Sequence, residues 1–211
     1  MSSNAGYLEV YHGCMFASKT QHLKTELNRY IGLDTKKEIK VLYINNNKDQ
    51  RPLNKTGHNS HELADGVDTL MVDKLSDIDL DVIEKYDIIG VNEGQFFEDL
   101  VINVLIWVDK MHKRVICVGL DTTFERKPWK NMSELCLHAD KVEKLTAYCK
   151  LCLDNENKPT HEYSKALFSH CLKPNDDSTI PLPGGAELYI PVCRKHYNQL
   201  NSKVVESLTH L

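Results

Sequence analysis

No apolar run in the 211 residues approaches the roughly 20 needed to cross a bilayer. The opening MSSNAG lacks the charged and apolar regions of a secretory leader, so neither membrane insertion nor export is expected. Basic residues are not in excess: 26 Lys and Arg face 30 Asp and Glu along the chain, a formal net charge of -4. Without a basic stripe, a nucleic-acid polymer is not an expected partner. A disulfide framework is also missing, since seven cysteines is an odd number and the close pair is Cys149 with Cys152. Reduced thiols with one metal site fit better, which predicts a cytoplasmic location, in a cell or an infected host cell. The chain has no internal repeat or low-complexity tract. Its 41% hydrophobic content supports one good core with a small appended module rather than two full domains.

What is present is an alternation of strands and helices. YLEVY, Tyr7 to Tyr11, alternates as a strand. Leu23, Leu27, Tyr30 and Ile31 then recur at helical spacing, predicting a helix from about Ser18 to Ile31. IKVLYI (Ile39 to Ile44) and DIIGV (Asp87 to Val91) are rich in β-branched residues and read as buried strands. Phe97, Leu100, Val101, Val104, Leu105, Val108 and Met111 mark one face of an amphipathic helix, and RVICVGL (Arg114 to Leu120) follows as a strand. This order predicts an α/β fold, a mostly parallel sheet flanked by helices. Leu53 to Gly66 reads as a polar connection. After Tyr148 the chain turns polar and weakly periodic, with a short helix expected within Tyr163 to Cys171. Leu200, Val204, Val205 and Leu208 suggest an amphipathic tail. The expected organisation is a nucleotide-binding α/β domain over 1–147, a small zinc-binding module over 148–197 and a tail over 198–211.

Three constellations carry chemistry. GCMFASKT, Gly13 to Thr20, follows the phosphate-loop pattern G-x-x-x-x-G-K-[ST] except that Ser18 stands at the second glycine. In such a loop the backbone N–H groups of Gly13, Cys14, Met15, Phe16, Ala17, Ser18 and Lys19 point at the phosphates of ATP. Lys19 adds a charge and the Thr20 hydroxyl ligates Mg2+. A glycine there normally lets the backbone approach phosphate closely, and serine is a small replacement. An ordinary turn before a helix is the plainer alternative. VNEGQFFEDL, Val91 to Leu100, follows a buried strand at the sheet edge where ligands bind, making Glu93 a candidate general base. The plainer role for Glu93 is capping the next helix. Finally, Cys149 and Cys152 form C-x-x-C while Cys193 and His196 form C-x-x-H, four ligands for a tetrahedral structural Zn2+. Cys171 is a substitute candidate, Cys117 and Cys136 are expected to pack, and Cys14, inside the loop, is a candidate for oxidation.

Taken in order, with KDQR (Lys48 to Arg51), GLDTTFERKPW (Gly119 to Trp129), VEKLTAYC (Val142 to Cys149) and PGGAELY (Pro183 to Tyr189), these motifs resemble the type II thymidine kinases of the cellular and poxvirus kind. The resemblance runs from about Tyr7 to His196. It implies a P-loop sheet, transfer of the ATP γ-phosphate to the 5′-hydroxyl of thymidine, and Mg2+ bridging the phosphates. By family position Glu93 is the general base, and Arg51 with Asp49 lies near the transferring group. Met15, Leu120, Phe124, Trp129 and Tyr189 surround the base, and a lasso loop returning through Gly184 and Gly185 covers it, anchored by the zinc. A homotetramer inhibited by dTTP is also implied. The chain departs from the family at Ser18, at Asn92 where Asp usually helps hold Mg2+, at Thr122, Glu125 and Trp129, and in a longer Cys152 to Cys193 stretch. The paired change at Ser18 and Asn92 leaves one alternative, a weakened nucleotide-binding regulatory or assembly protein, and a zinc-ribbon interaction protein on an ATPase-like scaffold is a third reading.

Overall fold

The computed structural model describes residues 5–33, 38–49, 62–161, 164–173 and 185–202. Among these, ten strands and five α-helices follow one another, beginning with β1 (Tyr7–Gly13), α1 (Lys19–Asn28), β2 (Val41–Asn46), β3 (Val67–Val72), α2 (Leu80–Glu84) and β4 (Ile88–Val91). They continue with α3 (Leu100–Leu105), β5 (Arg114–Leu120), α4 (Lys130–His138) and β6 (Lys141–Leu145). Six of these strands form one sheet in the order β3-β2-β4-β5-β1-β6. β2 pairs in parallel with both β3 and β4, and β4 with β5. The expected α/β architecture is therefore the observed one.

β2, β4 and β5 are buried almost end to end, as their continuous β-branched runs require of strands covered on both faces. α1 lays Leu23 and Leu27, both fully buried, against β4. Gly90 permits this approach, because a Cβ there would stand 2.5 Å from Leu27 Cδ1. Truncating Leu27 to Ala would cost about 2–5 kcal/mol.

Two compact units result. One comprises residues 1–12, 19–119 and 130–143, the other residues 13–18, 120–129 and 144–211. The second holds β7 (Ala147–Tyr148), β8 (Lys165–Ala166), β9 (Phe168–Cys171), β10 (Tyr189–Val192) and α5 (Arg194–Leu200). β9 pairs antiparallel with β10, and β7 with β8.

The short helix expected over Tyr163 to Cys171 is corrected to the strands β8 and β9. Phe168 to Cys171 pairs with Tyr189 to Val192, and this distant partner outweighs local periodicity. The amphipathic helix expected from Phe97 starts later, at Leu100, after a 3-10 turn over Gly94–Phe96, and ends in a π-type turn over Ile106–Lys110. Residues 53–61 of the polar connection, and Val204, Val205 and Leu208 of the tail, lie outside the described residues. No helix among the described residues is long and apolar enough to cross a membrane.

Candidate active site and metal centre

β2 and β4 run in parallel register, with Ile44 opposite Val91, so the next residues, Asn45 and Asn92, meet at the carboxyl edge of the sheet. Both are buried. Asn92 is pinned by its main-chain N–H, which donates to Ile44 O at 2.8 Å. Its side-chain Nδ2 donates to Asn45 Oδ1 at 3.0 Å. Its Oδ1 accepts from the Thr20 hydroxyl at 2.9 Å, and Asn45 Nδ2 donates onward to Asp49 Oδ2 at 3.1 Å. The structure thus joins Thr20, Asp49 and Asn92, three of the residues singled out for ATP and metal, through Asn45, which sequence reasoning missed. Lys19 opens α1 one residue before Thr20 and is buried.

Glu93 sits at the next position with φ 51° and ψ 43°, a left-handed conformation unusual outside glycine. It precedes the Gly94–Phe96 turn, yet its side chain makes no capping bond to that turn, which removes the simpler role considered for it. Glu93 Oε2 instead accepts from Gln95 Nε2 at 2.6 Å. The turn is held from α4: Asn131 Nδ2 lies 3.1 Å from Gly94 O, 3.2 Å from Gln95 O and 2.8 Å from Phe97 O. One amide therefore ties three carbonyls of this segment to α4, and two of them, Gly94 O and Phe97 O, also accept the main-chain N–H groups of Phe97 and Leu100. No local pattern marks Asn131, since its partners lie more than thirty positions earlier in the chain.

Gly13 ends β1 at φ 155°, and a Cβ there would lie 2.2 Å from Leu145 O, so the glycine is a steric requirement. Cys14 is buried, its thiol donating to Ala166 O at 3.5 Å, and Met15 N donates to Ser169 Oγ at 3.0 Å. Phe16 and Ser18 both have positive φ, 65° and 55°, while Ala17 between them is buried. A glycine at position 18 therefore suits the backbone as well as any phosphate, and serine bears a conformational cost of roughly 1 kcal/mol.

Among the residues expected around the base, Leu120 ends β5 and Trp129 closes the loop, its main-chain N–H donating to Asp121 O at 3.1 Å. The rings of Phe124 and Tyr189 lie 6.4 Å apart. The fully buried Tyr197, also missed from sequence, donates its hydroxyl to Phe124 O at 2.7 Å. Gly185 N donates to Glu187 Oε1 at 2.6 Å. Arg51 and Gly184 lie outside the described residues.

The four expected metal ligands converge. Cys149 and Cys152 flank a 3-10 turn, while Cys193 and His196 flank the first turn of α5. His196 Nδ1 lies 3.3 Å from Cys149 Sγ, 3.4 Å from Cys152 Sγ and 3.4 Å from Cys193 Sγ. Cys152 and Cys193 sulfurs are 3.9 Å apart. A tetrahedral Zn2+ with its usual bond lengths sets ligand separations of about 3.5–3.8 Å, so this set fits. Burial, with Cys149 alongside, pushes the Cys152 thiol up to about 12, so ion binding must displace protons. Cys171 is not in the cluster; it sits on β9 opposite Tyr189.

A mostly parallel sheet, with a first strand leading through a phosphate-loop sequence to a Lys-Thr helix start, has the layout of a P-loop protein. The particular family follows from comparison. The chain belongs to the thymidine kinase family, whose model, described as Thymidine kinase, matches residues 6–197. It is 33% identical over 196 residues to the thymidine kinase of Amsacta moorei entomopoxvirus, covering 90% of this chain and 97% of that protein. Against thymidine kinase 1 of Dictyostelium discoideum the identity is 32% over 194 residues, 92% of this chain and 78% of that protein. The thymidine kinase of Yaba monkey tumor virus is 34% identical over 203 residues, 96% of this chain and 100% of that protein.

Proposed function

We propose that this chain transfers the γ-phosphate of ATP to the 5′-hydroxyl of thymidine, giving dTMP. The observation that carries the reading is family membership across residues 6–197, with Lys19, Thr20 and Glu93 retained. The chemistry that Mg2+ would supply when bound is neutralisation of charge developing on the phosphates. Thr20 would offer it a hydroxyl oxygen, and Lys19 and the N–H groups of the Gly13 to Ser18 loop bind phosphate, except that of Met15, which is given to Ser169. Glu93 takes the proton of the attacking hydroxyl, and its position after a parallel strand supports that role. Gln95, hydrogen-bonded to Glu93, keeps the carboxylate in one orientation. Arg51, beside Asp49 in sequence, stabilises the transferring group.

Met15, Leu120, Phe124, Trp129, Gly184, Gly185 and Tyr189 form the nucleoside side of the reading. The Cys149, Cys152, Cys193 and His196 set holds Zn2+ structurally, because four protein ligands leave no open position for chemistry. A homotetramer, inhibition by dTTP and a cytoplasmic location go with the same assignment. The test is formation of dTMP from thymidine and ATP with Mg2+ by zinc-replete protein. Turnover is expected, falling by about 10²–10⁴-fold in Glu93→Gln. Folded protein without turnover would refute the assignment.

A further inference from the structure

The hydrogen-bonded chain from Thr20 to Asp49, buried at Asn92 and Asn45, has a direction. An ionised carboxylate can only accept hydrogen bonds, so Asp49 obliges Asn45 to turn its NH2 group toward it, as observed at 3.1 Å. That leaves Asn45 Oδ1 facing residue 92. An oxygen that only accepts requires a donor there, and Asn92 Nδ2 supplies one at 3.0 Å. The remaining amide oxygen of Asn92 faces Thr20 and takes its hydroxyl hydrogen at 2.9 Å. With that hydrogen committed, the lone pairs of Thr20 Oγ1 stay open. Asn45 is 1% exposed and Asn92 0%, so water cannot repair a mismatched contact. Nor can Asn92 withdraw, because its main chain is tied to Ile44.

We infer that Asn92 and Asn45 are a matched pair whose hydrogen-bond polarity is imposed by Asp49, and that Asn45 is a positioning residue presenting the Thr20 oxygen to the divalent cation. The second half rests on the proposed function; the first does not. On this account Asn92 is not a damaged metal ligand. The carboxylate of this edge stands at the far end of the relay, in Asp49, and an aspartate at position 92 conflicts with the neighbours that the chain has.

The test is a double-mutant cycle read as melting temperature in zinc-loaded, nucleotide-free protein at neutral pH. Asn92→Asp places a carboxylate against Asn45 Oδ1, or forces Asn45 to flip its own oxygen onto Asp49. The expected loss is about 5 °C. Asp49→Asn alone can still offer an oxygen, and it should move the midpoint by no more than about 2 °C. Combined, the two substitutions reverse every bond between positions 49 and 92, and most of the loss should return. Simple addition of the two single effects would overturn the relay. If Asn92→Asp alone yields no folded protein, folding of the double variant supports the relay and its failure to fold refutes it.

The positioning role is read separately. Asn45→Ala should raise the half-saturating Mg2+ concentration by about tenfold while leaving the thymidine KM within about twofold. An unchanged Mg2+ requirement would sink it. Absence of turnover in the unaltered protein would instead refute the proposed function, leaving the melting cycle to judge the relay alone.

Discussion

The two units keep their interiors in different ways. The first buries large aliphatic and aromatic side chains, among them Leu8, Leu23, Leu27, Leu42, Ile44, Ile89 and Trp107. The second is built around Cys14, Ala17, Cys149, Cys152, Ala166, Phe168, Val192, Cys193 and Tyr197. Four of those nine are cysteines and two are alanines, so little apolar area is available to offset the entropy of ordering the chain. A sheet of hydrophobic strands can hold itself together, whereas a thiol-rich core of this size is expected to rely on the metal that its Cys and His cluster could hold. The same contrast extends to function. In the first unit the proposed catalytic groups are fixed by hydrogen bonds between side chains; in the second, loops are fixed by a cluster of ligands and one buried tyrosine.

Stripping the metal should break this contrast most severely. With a strong chelator, or in Cys152→Ser, amide-exchange protection is expected to vanish from β7 to β10 and α5 while persisting in β2, β4 and β5. Zinc-finger sites contribute roughly 10–16 kcal/mol at neutral pH, far more than the apolar contacts of so small a core. Unaltered protection in the second unit would show that its packing suffices without metal. Next in size is Asn131→Ala, which frees the carbonyls of the turn carrying Glu93. A fall in kcat of about 100-fold with the thymidine KM nearly unchanged is expected, from misplacement of the carboxylate. Equal changes in both constants would instead place Asn131 in binding.

A smaller effect concerns Glu9, buried on β1 among Arg114, Lys141 and the Tyr11 hydroxyl. Burial alone would raise its pKa, but the hydrogen bonds from Tyr11 and Arg114 with the charges of Arg114 and Lys141 outweigh it and hold the carboxyl below 4.5. A lowered folded value means stability that is complete above 4.5 and lost as pH falls through the folded value. Glu9→Gln should therefore cost about 1–3 kcal/mol at neutral pH, and the difference from the unaltered protein should shrink in acid. A gap that stays constant down to pH 2 would exclude this carboxylate as a source of acid sensitivity. The smallest prediction is a gain. Ser18→Gly relieves the positive φ and should raise the melting temperature by about 2–4 °C. A decrease would show that the serine side chain contributes more than its strained backbone loses.

Much of this molecule was legible from local pattern. β5 is found over Arg114–Leu120 as expected, because a continuous β-branched run has few other destinations. The metal ligands were legible because two x-x spacings each bring a pair of donors onto one short turn. β6 was not foreseen: KVEKL is largely exposed and lacks a clean apolar alternation. β9 was misread because its structure is decided by a partner strand elsewhere in the chain. Asn45, Asn131 and Tyr197 were missed for the same reason. Each is an ordinary residue in its own neighbourhood and acquires a role from atoms distant in sequence.

The order in which the chain is made gives the second unit one more property. Its phosphate-loop segment, residues 13–18, is synthesised well before its partners, since Cys14 and Met15 bond to Ala166 and Ser169, 152 and 154 positions later. At ribosomal speeds of about 5–20 residues per second, the loop waits on the order of 10 s for those partners. Until then Cys14 is a thiol without its buried setting, open to oxidants and to stray metal. A nascent chain stalled before residue 166 would carry the sheet sequences and lack a finished loop, so the loop is completed only once residues 166 to 169 have been made.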